Sequence, residues 1–151
     1  MAASRALPSF LPDTSCMIAA VCSWHEHHLR AVEAIEGRRS RRERMVVAAA
    51  TLVEMYSVLT RLPPPHRLAP EVALTLVDAN FVRGVKCVAL DAEAYRALLR
   101  EAPGGGIAGG RTYDAVIARC ARQARVRTLL TFNTSHFAPF AGPDLAIVAP
   151  A

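Results

Sequence analysis

Apolar positions along the chain fall into two alternating patterns, short unbroken runs and longer stretches at helical spacing. Ala6 to Leu11 is a short apolar run ending just before Asp13, with Pro8 inside it and Pro12 beside it. It reads as a strand, although prolines are confined to strand ends and edges. Thr14 and Ser15 are suitable N-caps for a first helix that continues from Met17 to Trp24. Leu29, Val32 and Ile35 recur at helical spacing in a second helix from His25, with Gly37 placed to close it. Arg38 to Arg44 (RRSRRER) reads as a charged, solvated loop. Met45 to Ala50 is continuously apolar, as a strand covered on both faces would be.

Thr51 to Leu62 is a third helix, with Leu52, Val53, Tyr56 and Leu59 expected on one face and Pro63 to Pro65 stopping it. Pro70 to Arg83 is another, opened by its proline and closed at Gly84. Val85 to Leu90 is a strand, and Asp91 caps a helix reaching Glu101. A glycine-rich loop, Pro103 to Gly110, precedes a helix from Arg111 to Arg125 whose apolar stripe is Val116, Ile117 and Cys120. Thr128 to Phe132 and Leu145 to Val148 complete the strands. Strands alternating with helices predict one α/β domain over residues 1–151. Its parallel sheet has four to five strands and helices on both faces.

Composition narrows the classes. The chain has 151 residues, 52% hydrophobic and 21% charged, which excludes a disordered polymer and suits one self-sufficient core. The longest nearly continuous apolar stretch, Met45 to Val53, falls well short of the ~18–20 residues of a membrane span. The first residues, MAASRALPSFLPD, lack an uninterrupted signal-peptide core. The protein is therefore expected to be cytoplasmic, without membrane attachment. Cys16, Cys22, Cys87 and Cys120 should stay reduced, and with no C-x-x-C pair they read as small buried hydrophobes. Net charge is +5, and Lys86 is the only lysine. An arginine excess suits a polyanionic partner such as RNA, but it equally reflects an alanine- and arginine-rich genome.

The acidic residues change the picture. Of thirteen, Asp13 ends the first strand, while Glu54 and Asp114 are expected in the first turns of the helices after the second strand and the glycine-rich loop. In an open α/β sheet these places share one edge, where ligands bind. A helix cap or surface charge explains any one of them. Three together repel unless a cation lies between them, and an all-oxygen donor set favours Mg²⁺ or Mn²⁺. Thr131 to His136 (TFNTSH) reaches the same edge.

These residues resemble a known family. Asp13-Thr14-Ser15 after a strand, Thr51-Leu52-Val53-Glu54, Tyr113-Asp114-Ala115-Val116-Ile117-Ala118 and Leu130-Thr131-Phe132-Asn133 through His136-Phe137 are similar to the motifs of PIN-domain ribonucleases. The order and spacing match the short bacterial toxins of VapBC-type toxin–antitoxin pairs, with Gly109 to Phe137 the most specific stretch. The resemblance implies a Rossmann-like fold and a metal-dependent endoribonuclease, often a homodimer, neutralised by a cognate VapB-type antitoxin. Its RNA would be a tRNA or rRNA among others, cut to 3′-hydroxyl and 5′-phosphate ends. Asp13, Glu54 and Asp114 then hold Mg²⁺ or Mn²⁺, with Glu54 either a ligand or the base, and Thr131 supports the nucleophile's position. Asn133 stands where many members carry aspartate, which leaves one- and two-metal mechanisms open.

Other readings are weaker. A PIN-like RNA- or protein-binding module with weakened catalysis is the alternative that Asn133 raises. An aspartyl phosphatase at Asp13 would want a second aspartate where Ser15 stands. Gly104-x-Gly106-x-x-Gly109 follows a helix rather than a strand, so it reads as a flexible loop admitting substrate, not a dinucleotide site. His25-Glu26-His27-His28 lacks zinc-protease spacing and reads as a solvated helix start, with an RNA-contacting edge as the alternative. The arginine run could grip RNA phosphates or an acidic antitoxin segment. Val72 to Phe81 and Leu29 to Ile35 offer apolar residues for an antitoxin or a second copy.

Overall fold

In the computed structural model, which describes residues 7–151, five strands form one parallel sheet. They are β1 (Ser9–Pro12), β2 (Arg44–Ala48), β3 (Lys86–Val88), β4 (Thr128–Leu130) and β5 (Ala146–Val148). Their order is β3-β2-β1-β4-β5, and every pairing is parallel. Between them run α1 (Thr14–Val21), α2 (His28–Ser40), α3 (Ala49–Arg61), α4 (Pro70–Val77), α5 (Ala92–Glu101), α6 (Arg111–Gln123) and α7 (Thr134–Phe137).

Side chains alternate across the sheet, so neighbouring strand residues enter different cores. Phe10, Met45, Val47 and Leu130 pack with Met17, Ile35, Met55, Leu59 and Val77 from α1 to α4. Leu11, Val46, Ala48 and Leu129 pack with Leu98, Val116, Ile117 and Phe137 from α5 to α7. The apolar runs are continuous because both faces of the strands are covered. The proline-bearing first strand is central rather than marginal. Its pairing with β2 ends at Phe10 opposite Met45, while pairing with β4 continues to Pro12. Pro12 thus stands beyond the stretch where β2 would need its missing N–H.

Several helix boundaries differ from the sequence reading. Asp13 itself caps α1, accepting from the Cys16 N–H, so the helix starts at Thr14 and ends at Val21 rather than Trp24. α2 starts at His28, not His25, and runs through Gly37 to Ser40. The positive φ that ends that excursion falls at Arg42, with φ 62°. The arginine run is therefore not a loop. Arg38 and Arg39 lie in the last turn of α2, and Arg44 opens β2. Arg38 is half-buried, paired with Glu43 at 2.9 Å and lying over the Phe10 ring at 5.8 Å. α3 begins two residues early, which rotates its inner face to Thr51, Met55 and Leu59 and leaves Val53 and Tyr56 exposed. α4 continues as a wider π turn, Asp78–Val82, before Gly84 at φ 68°. Cys16, Cys22 and Cys120 are buried as expected, but Cys87 is exposed.

A parallel sheet has two chemically distinct edges. At the amino edge Arg44 and Lys86 open strands, Arg127 precedes β4 and donates its backbone N–H to the Ser9 carbonyl, and Arg125 turns at φ 55°. At the carboxyl edge the chain switches direction beside β1, moving to β2 and β3 on one side and to β4 and β5 on the other. Such a switch point leaves a crevice for ligands. No helix among the described residues is long and apolar enough to cross a membrane.

Candidate active site

The crevice is a cleft of about 500 Å³ that takes in Asp13, Glu54, Asp114 and Asn133. Asp13 anchors it. One carboxylate oxygen, Oδ1, accepts from the Cys16 N–H at 3.0 Å and from Ser15 Oγ at 2.6 Å. The other, Oδ2, accepts from Thr131 Oγ1 at 2.5 Å. Thr131 is fully buried just past β4, where its N–H donates to the Val148 carbonyl and its hydroxyl oxygen accepts from the Asn133 N–H. Ser15 Oγ also accepts from the Phe132 N–H at 3.2 Å. One carboxylate thus joins β1, α1 and the turn after β4.

Glu54 enters from α3. Because that helix starts at Ala49, Glu54 lies in its second turn rather than its first. Its Oε2 accepts from Thr14 Oγ1 at 2.8 Å, which ties α3 to α1 across the cleft. Asp114 is in the first turn of α6, as expected, and its nearest cation is His136, whose Nδ1 is 3.8 Å from Oδ2. Asn133 is exposed at the start of α7, and its side chain makes no capping bond. Thr131 faces Asp13 and is not among the groups lining the cleft.

Burial pushes the Asp13 carboxyl above its ordinary range, and its bonds to Ser15, Thr131 and Cys16 only partly oppose this. Asp114 is also raised, chiefly by burial, with repulsion from Glu54 adding and His136 and Arg111 opposing. A carboxyl raised in the folded state is protonated there before it is in the unfolded chain. Metal-free protein should therefore gain stability from these groups as pH falls from neutral through their folded-state values toward 3.8. The check is unfolding in chelator across that range for the native chain and Asp114→Asn. Their stability difference should shrink on acidification, and a pH-independent difference would refute this.

Three features set the cleft's chemistry. Glu26 adds a fourth carboxylate, and no arginine or lysine lines the cleft, although the chain carries +5 overall. Among the described residues, no three His, Cys, Asp or Glu side chains stand close enough to ligate one ion directly. The donors are all oxygens, they lack a fixed countercharge, and they are spread over an open cleft. That set fits a hard ion such as Mg²⁺, which keeps several waters and takes only one or two protein carboxylates. A larger hollow at the amino edge, about 810 Å³, is lined by Arg122, Arg125 and Arg127 and has none of this acid cluster.

Sequence reasoning undervalued the His25-Glu26-His27 segment. It is not a helix start but the turn before α2, and all three residues line the cleft. Partial burial and neighbouring His27 hold the His25 imidazole below its usual value. No residue of the 103–110 loop lines the cleft, and Ile107 instead packs on the core beside α5 and α6. The phosphatase reading also loses ground, since Asp13 is only 3% exposed and both its oxygens already accept bonds.

Comparison with known proteins agrees with this geometry. Ribonuclease VapC40 of Mycobacterium tuberculosis is 42% identical over 118 residues, covering 78% of this chain and 82% of that protein. Ribonuclease VapC27 of the same organism is 33% identical over 118 residues, covering 78% and 80%. Among solved structures, the sarcin–ricin-loop-cleaving toxin VapC20 of M. tuberculosis superposes with a TM-score of 0.67 at 14% identity, covering 86% of this chain and 94% of that one. DNA-bound VapBC from Salmonella typhimurium gives 0.67 at 23%, covering 96% and 100%. The PIN domain family model matches residues 10–142, and with that span and these relatives the chain belongs to the PIN domain family.

Proposed function

We propose that the protein is a divalent-metal-dependent endoribonuclease acting as the toxin of a toxin–antitoxin pair. The carrying observation is the cleft itself, four carboxylates without one arginine or lysine at the switch point of a basic chain. The kinship with ribonucleases VapC40 and VapC27 supports RNA as the substrate.

Asp13, Glu54 and Asp114, with the uncharged amide oxygen of Asn133, would hold Mg²⁺ or Mn²⁺. Bound there, the ion supplies Lewis-acid activation of water and neutralises phosphate charge. Thr131 and Ser15 fix the Asp13 carboxylate and are positioning residues. Thr14 holds Glu54 by Oε2, which leaves Oε1 to face the ion or to take the proton of the attacking water. The water oxygen bonds to phosphorus, the bond to the ribose O3′ breaks, and a 5′-phosphate and a 3′-hydroxyl result. Asn133 brings no charge, which favours a single tightly held ion.

Partners follow the surface. Val53 and Tyr56 of α3 and Val72 and Leu74 of α4 are exposed apolar side chains on adjacent helices. Leu29 is exposed too, whereas Ile35 and Phe81 belong to the core. We assign the α3–α4 surface to a VapB-type antitoxin or a second copy, in line with the VapBC complexes among the fold's neighbours.

Purified protein should cut total RNA or a tRNA pool with Mg²⁺ or Mn²⁺ and stop in excess chelator. Saturable metal binding without cleavage of any pool would favour the weakened binding module.

A further inference from the structure

The acid cleft opens onto a row of rings that the metal chemistry does not use. Phe132 and His27 stack, with centroids 4.6 Å apart and planes 20° from parallel, and the Arg30 guanidinium lies 5.6 Å from the Phe132 centroid. His25 follows 5.7 Å from His27, and Trp24 follows 5.9 Å from His25. Trp24 then stacks on His66 at 4.0 Å and 20°. Phe132, His27 and His25 line the cleft, so the row begins at the acids and leads away from them. The segments that build it are far apart in sequence: the α1–α2 turn, the loop after α3 and the turn after β4.

Core packing does not account for Trp24. It is 46% exposed, although it is the chain's only tryptophan and its largest apolar surface. The cleft beside it repels phosphates wherever its carboxylates are uncompensated, so a nucleic acid needs a hold there that is not electrostatic. Aromatic faces provide one, because a nucleobase stacks on them whatever its identity. Bases inside a duplex have no free face, whereas those in loops, bulges and ends can splay out onto side chains.

We propose that Trp24, backed by His66, and the His27–Phe132 pair form a stacking surface for unpaired bases next to the phosphodiester held at the acids. Trp24 is then a specificity-determining residue that selects RNA unpaired beside the cut. This rests on the nuclease reading above, but its test does not depend on cleavage.

Because Trp24 is the only tryptophan, its fluorescence reports the contact directly. Full-length protein in chelator is titrated with a uridine hexanucleotide, an abasic hexamer with the same phosphates, and a blunt duplex. The expected result is saturable quenching by the uridine oligomer alone. In anisotropy titrations of labelled oligomer, Trp24→Ala should weaken binding about 5- to 150-fold, while Trp24→Phe keeps most of it. Equal binding of the abasic and uridine oligomers overturns the proposal. So does an unquenched Trp24, or absence of binding altogether. Parallel digestion of total RNA with Mg²⁺ separates the two readings. Cleavage without base-dependent quenching removes the stacking surface and leaves the nuclease, and quenching without cleavage does the reverse.

Discussion

Asp114→Asn should lower RNA cleavage by about 10²- to 10³-fold while leaving the fold at least as stable as before. The side chain caps nothing and has His136 as its nearest cation, at 3.8 Å, so the fold loses little when its charge goes. Its carboxyl is already raised by burial and by Glu54, so the charge is a cost that the empty cleft does not offset. Removing it should relieve the folded protein and disarm the site together, the usual opposition between stability and activity at a functional centre. Initial cleavage rates at saturating Mg²⁺, with thermal unfolding of both proteins in chelator, check this. A rate within tenfold of the native one would take Asp114 out of the machinery.

The two substitutions at Asp13 should part company. Both abolish cleavage, but only Asp13→Ala should damage the fold, by about 2–4 kcal/mol. It deletes the cap of α1, worth about 1 kcal/mol, and leaves the buried Thr131 hydroxyl without its acceptor, worth about 1–3 kcal/mol. Asp13→Asn keeps a cap oxygen and removes the buried charge, so it should cost about 1 kcal/mol or less. Denaturant unfolding of both variants in chelator gives the comparison. Equal stabilities would mean that Asp13 does not hold β1, α1 and the turn after β4 together.

Much of this arrangement was legible in the sequence, for identifiable reasons. The runs at Met45 and Val85 mark strands because both sheet faces are covered, and Asp91 marks a helix start because its carboxylate accepts from the Ala94 N–H. Asp13 and Asp114 stand at strand and helix ends, so topology alone brings them to one edge. Helix phase was harder to see. α3 is apolar on most sides, and a start two residues earlier exchanges Val53 and Tyr56 for Thr51 and Met55 on its inner face. Gly37 looked like a stop, yet a Cβ there would meet only Arg41 Nη1 at 3.6 Å, and the chain turns at Arg42 instead. The ring row joins residues as far apart as Trp24, His66 and Phe132, and no local pattern reports such a meeting.

The parallel strands also make the molecule electrically polar. Arg44, Lys86, Arg125 and Arg127 gather where strands begin, and four carboxylates gather where they end. An approaching polyanion is therefore drawn first to the back of the protein and turned away from its working face, over a range of about one Debye length. Long-range attraction speeds collision here without orienting it. A divalent ion in the cleft weakens that reversed field at the front, so loading the ion governs how the two molecules meet as well as what happens after they have met.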